Sequence, residues 1–458
     1  MSILIIILFL LTLPVILFTL KKIKKKEDIN FFDINILATF LYFVFIPTFY
    51  YSIGEKYAIE LLEDGIPTYI IVDIYIYIIY FINRIASKSN KYRYSLFNIS
   101  YQLRQLYNKI NSFKSCYLYL IAFILALNLY SNLSYANLQG KNLSNADMEA
   151  VYTEQVSNTD RINNKLKGIY NFFLIPSLLY GIIIIKKSAQ KFYRNIGWSI
   201  IGCSSLILLL GSRRPMIAAL IFVLLFLYSI SREKIKKKTI LKLILIFSLI
   251  IGVFFPAYQV YRLVKEYSLL NETNVDFMSV IYNSKELISN YEVFQEAQES
   301  NSKRSLNLFS ALDKAVKNET YDGWVVWKCI TNFMPGAPSL DNNVEYQLAN
   351  KYAHHGADIA DSILMYGVAD FNFLGCIFSL FYIWLFYKLN QLFIITFKRY
   401  NIYYIFTIYF LYQLYNISIS LEFSPFWSIK NLSSTIFYSI IIAILFYSLS
   451  KQKSKNIL

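Results

Sequence analysis

Apolar runs near the ~20 residues that a helix needs to cross a bilayer recur from one end of this chain to the other. They fall at roughly 2–20, 34–51, 66–82, 116–134, 169–185, 196–211, 215–230, 240–258, 372–392, 402–421 and 432–449. Lipid offers no hydrogen bonds, so a backbone crossing it must pair its own N–H and C=O groups, as a helix does. The expected fold class is therefore all-α: a polytopic integral membrane helix bundle of about eleven spans, with roughly ten to twelve compatible with shorter runs such as 66–82. Composition agrees. Of 458 residues, 56% are hydrophobic and 16% charged, a balance that excludes one or two soluble domains.

The formal net charge is +16, which on a soluble chain would suggest nucleic acid. Its distribution points elsewhere. Lys and Arg gather between apolar runs, in KKIKKK (21–26), from Arg84 to Lys114, in KKSAQKFYR (186–194), REKIKKK (232–238) and KQKSK (451–455). These clusters alternate with loops poorer in Lys and Arg, the pattern of positive cytoplasmic loops in a multi-pass membrane protein. No nucleic-acid partner is expected; membrane lipids are, with weak attraction to anionic headgroups. The run 2–20 carries its charge behind it rather than in front, which reads as a retained first helix with an outer N-terminus, not a cleaved leader. The C-terminus then lies in the cytoplasm. The four cysteines are scattered without a C-x-x-C, so neither a disulfide framework nor a zinc site is indicated.

The whole chain, 1–458, reads as one integral membrane domain with two long outer loops. Residues 135–168 contain ANLQGKNLSNADMEA, three pentapeptide-like units, too few for a solenoid. The second loop, 259–371, is amphipathic in FMSVIYNSKELISNYEVFQEAQES and too long to be structureless, so it is expected to form a helical cap on the outer face.

Two sets of residues carry chemistry. In LLLGSRRPMIAALIF (208–222), Arg213 and Arg214 fall in a very short outer turn between two spans, against the positive-inside bias and with no carboxylate beside them. Arginines can snorkel to headgroups, but a guanidinium pair at this place also suits an anion, above all phosphate. Arg262, in AYQVYRLVKEY, would sit at the same headgroup level. The second set lies in 332–375. It holds the only histidines, His354 and His355, and a helix there would bring His354, Asp358 and Asp361 onto one face. An imidazole or carboxylate so placed could take a proton from an acceptor hydroxyl. Asp358, Glu345 and Asp370 are further carboxylates for that role. No further histidine accompanies the pair, so no metal is expected. No D-x-D is present to hold a metal-bound nucleotide sugar, and no cofactor is expected.

GSRRP at an outer turn, a large late outer loop, and GADIADSILMYGVADFNFLG leading into the next span resemble the O-antigen polymerase (Wzy) family. Asp361 stands where that family usually has Glu. The resemblance implies an inverting glycosyltransferase. It would join oligosaccharide repeat units carried on undecaprenyl diphosphate at the outer face of the cytoplasmic membrane. Carried over by position, Arg213 and Arg214 would hold the donor diphosphate, and His355 and Asp361 would serve the acceptor. The implied partners are undecaprenyl-diphosphate-linked glycans and a chain-length regulator protein. Two alternatives stand beside it: an O-antigen ligase that transfers the same donor's glycan to a lipid A core, and a lipid-linked oligosaccharide flippase.

Overall fold

The computed structural model describes residues 3–25, 27–88, 97–110, 118, 121–130, 158–210, 213–231, 304–325, 327, 362–381, 383–384, 388 and 403–419. Every regular element among the described residues is helical. The chain divides into two compact units: residues 1–110 with 299–458, and residues 111–298.

The first unit is built on α1 (Ile3–Lys24), α2 (Phe31–Ser52) and α4 (Ile66–Ser87), each long and apolar enough to cross a bilayer. They correspond to the apolar runs at 2–20, 34–51 and 66–82. α3 (Lys56–Asp64) links α2 to α4, and α2 contains a π-helical stretch at Phe40–Phe45. One end of this trio is locked by a buried polar network. Lys22 of α1 pairs with Asp33 of α2 (2.6 Å), and Asn83 of α4 donates to the other oxygen of the same carboxylate (2.9 Å). Asn30 caps α2 in a capping box with Asp33 and donates to Asn83 (2.8 Å). Every polar atom the carboxylate presents is thereby answered, the condition under which a buried ion pair is tolerated. Beside it, Arg104 of α5 (Ile99–Lys109) pairs with Asp28 (2.8 Å), and the Arg84 guanidinium lies over the Phe18 ring (4.7 Å). Lys21, Lys22 and Lys24 of α1 and Arg84 of α4 thus gather at this end. α13 (Tyr403–Ile419) packs against the first half of α2.

The other end is covered by α10 (Arg304–Lys317). Its Ser305 hydroxyl donates to the Tyr42 carbonyl. Thr68 at the start of α4 donates to Asp313 (2.7 Å), whose other oxygen takes Lys317 (2.7 Å). Gly65 allows this approach, because a Cβ there would lie 2.7 Å from the Phe309 ring. Next come α11 (Ile363–Phe371), a short turn of 3-10 helix at Asn372–Leu374, and α12 (375–381).

By length and hydropathy Ile363–Phe381 also qualifies as a span. It is not a rod. Ser379 donates to the carbonyl of Ile363, sixteen residues earlier (3.1 Å); in a straight helix those residues would stand about 24 Å apart. The segment is a helical hairpin that reverses at 372–374, where the sequence alone places the start of a span at 372–392. Gly367 and Gly375 touch backbone to backbone, so a side chain on either would collide with the other. Asn372 makes the reversal with φ +49°, a conformation that Asn adopts more readily than most non-glycine residues.

The second unit contains α6 (Ile121–Tyr130), α7 (Asn158–Lys187), α8 (Lys191–Leu210) and α9 (Arg213–Ile230). α7 begins eleven residues before the expected 169 and takes in the charged stretch NTDRINNKLKG. α7 and α8 pack closely through Gly181 and Gly197, where a Cβ on one would meet the other's carbonyl oxygen at 3.0 Å.

Candidate functional site

The arginine pair sits at the N-terminus of α9. α8 ends at Leu210 and α9 begins at Arg213, so two residues, Gly211 and Ser212, make the whole connection. Pro215 fits the first turn, where a helix has no N–H partner to lose. The opposite end of α8 adjoins another basic turn: Lys186 and Lys187 close α7, and Lys191 and Arg194 open α8. The twenty residues of α8 put about 30 Å between the two basic ends. One helix therefore separates a Lys-rich turn from an Arg pair by roughly a bilayer's hydrocarbon thickness.

Electrostatics makes the Arg213 end unusual. The first turn of α9 contains no acidic residue. As at any helix start, its first backbone N–H groups carry partial positive charge. The helix dipole favours cations at the other end, so two arginines at a helix start are an uncommon placement.

The hairpin of the first unit carries the later part of the segment 356–375. Ser362 caps α11 by accepting from the Met365 N–H (3.1 Å). From Ser362 to Asp370 every residue is buried. At the tip, the Ala369 and Asp370 carbonyls accept from Tyr321 and Asp322 (3.0 and 3.1 Å). The Asp370 carboxylate accepts from the Val325 N–H (2.9 Å). The loop after α10 is thus stitched to the hairpin tip. That loop holds Asp322 at φ +48° and Gly323 at φ +89°, and Tyr321 stacks on Trp324 at 5.6 Å. Asp370 acts as a clamp. Fully buried and bonded to a backbone N–H, it is poorly placed to take a proton from a substrate hydroxyl.

His354, His355, Asp358, Asp361, Glu345 and Arg262 lie outside the described residues, so the expected grouping of His354, Asp358 and Asp361 is not among the contacts seen. Sequence reasoning missed the Asp370 clamp and the Asp313–Thr68 tie, whose partners are 45 and 245 residues away. The signal for the hairpin was present as Gly367, Gly375 and Ser379, small residues spaced to let helices approach closely. No protein-family model matches the chain, and no curated protein or solved structure matches it.

Proposed function

We propose that this chain is an inverting glycosyltransferase of the O-antigen polymerase kind, joining undecaprenyl-diphosphate-linked repeat units at the outer face of the bacterial cytoplasmic membrane. The observation that carries the reading is the Arg213–Arg214 pair at the start of α9, one helix length from the Lys-rich turn at 186–194. With the Lys-rich turn in the cytoplasm, the arginines face outward, where lipid-linked repeat units are joined. They hold the donor diphosphate and stabilise its charge as it leaves, the largest electrostatic demand of such a transfer. Arg262 adds a cation at the same level. His355 or Asp361, with His354 and Asp358 beside them in sequence, takes the proton of the acceptor hydroxyl as that oxygen attacks the anomeric carbon. No nucleotide sugar, metal or cofactor enters the scheme.

Loss of the protein tests the reading in cells. A polymerase-deficient strain is expected to display surface glycan of a single repeat unit. Full-length polymer left on the undecaprenyl carrier, with none on the core, would make the chain a ligase. Single units trapped inside the cytoplasm would make it a flippase.

A further inference from the structure

We propose that Asp73 is a proton-binding site in the membrane-spanning part of the first unit. It is the only acid in α4, the eighth residue of the helix and about 10 Å along its axis from Ile66. It is 6% exposed, and among the described residues neither of its carboxylate oxygens has a hydrogen-bond partner. An ionised carboxylate so placed would be stripped of water and left unpaired, which costs far more than neutralising it.

Among the described residues no side chain donates to it. Hydroxyls near Asp73 along the helix are committed elsewhere: Tyr69 with Thr48 (3.2 Å), Tyr77 to the Leu11 carbonyl (2.5 Å), and Thr12 of α1 to the Phe9 carbonyl (2.9 Å). Tyr75 bonds Asn35. α1 from Ile3 to Leu20 and α2 from Phe31 to Ser52 contain no Lys, Arg or His. Lys22 is paired with Asp33, and Arg84 lies over Phe18 and Tyr80. From α3 come Lys56, Glu60, Glu63 and Asp64, with Glu63 bonded to Tyr51 (2.8 Å). α10 brings Arg304, Asp313, Lys314 and Lys317, and Asp313 is shared between Thr68 and Lys317. The only ionisable group near Ile71 from α12 is Cys376, whose thiol turns to the Ile71 carbonyl (3.7 Å). None of these groups donates to Asp73. A sodium-sized ion would need a ring of oxygens around it, whereas a proton needs only Asp73 itself. α2, packed on this helix, contains the π-helical turn Phe40–Phe45, a distortion that often accompanies functional positions.

The test uses the full chain in membrane vesicles and dicyclohexylcarbodiimide, an apolar reagent for protonated carboxyls. The acid proton passes to one carbodiimide nitrogen and the carboxylate oxygen adds to the central carbon. The O-acylisourea then rearranges to a stable N-acylurea, so one reagent molecule is added and nothing is released. Peptide mass spectrometry is expected to find the adduct on Asp73, decreasing as pH rises and unchanged by sodium ions. Infrared spectra are expected to contain a protonated-acid carbonyl band that Asp73→Asn removes, while that variant inserts as well as wild type because its amide imitates a neutral acid. That band without the adduct still supports a bound proton at a site closed to the reagent. Wild-type and Asp73→Asn spectra with the same carboxylic-acid region would overturn the proposal. Protection of Asp73 by sodium would also overturn it and assign a metal-cation site.

Discussion

Asp33 and the Arg213–Arg214 pair are charges set beside apolar runs of the chain. Asp33 is 2% exposed in its side chain and receives Lys22, Asn83 and the Asn30 backbone, so its charge serves packing alone. Asp33→Ala strands the Lys22 ammonium and two amides, and is expected to cost about 3–5 kcal/mol, read as a lowered unfolding temperature in detergent. Arg213 and Arg214 stand at a helix start with no acid in the first turn. Arg213→Ala or Arg214→Ala is expected to remove a charge-assisted contact to the donor of about 1.5–3 kcal/mol. Glycan polymer should fall tenfold or more at unchanged protein level, and Lys should rescue only in part because it lacks the bidentate fork. Full activity in the double Ala variant would reduce the pair to a headgroup anchor. The arginines were legible in the sequence because a charge inside an apolar run is conspicuous. The Asp33 network was not, since its partners Lys22 and Asn83 are distant in sequence and each alone resembles an ordinary loop-end residue. Asp370 was legible as a carboxylate near the cap, but its bond to Val325 makes it a clamp rather than a free base.

At the scale of elements, hydropathy located the apolar stretches well: 2–20, 34–51 and 66–82 match α1, α2 and α4, and 196–211, 215–230 and 402–421 match α8, α9 and α13. It could not see the hairpin at 363–381, because both arms are apolar and the reversal depends on backbone geometry at Asn372 and on two glycines in contact. Gly375→Val puts a branched side chain into the Gly367 backbone. The expected cost is about 3 kcal/mol or more, at or above the top of the range for overpacking, seen as loss of detergent-stable protein or new protease cleavage in the hairpin. Gly202→Ala is the control: a Cβ there meets nothing within 4 Å. It should be neutral or stabilise by up to about 1 kcal/mol, because Ala is the better helix residue. Equal effects from the two substitutions would remove the packing argument.

For the whole molecule, charge placement and function are linked through topology. Reporter fusions after Lys26 and Arg232 are expected to report cytoplasm, and fusions near Arg214 and Asn301 the outer side. A cytoplasmic signal at Asn301 would put the His354–Asp361 segment on the wrong face for lipid-linked repeat units. The central claim is that this chain alone joins such units without a nucleotide sugar. Its most direct measurement is reconstitution: purified protein in liposomes, supplied only with undecaprenyl-diphosphate-linked repeat units, with glycan products resolved by size and free undecaprenyl diphosphate quantified. The account predicts a ladder of lengthened glycans, with one undecaprenyl diphosphate released for each linkage formed, and its loss in the Arg213→Ala, Arg214→Ala double variant. Repeat units that cross the bilayer without lengthening, or that stay unchanged while the protein remains folded, would contradict it.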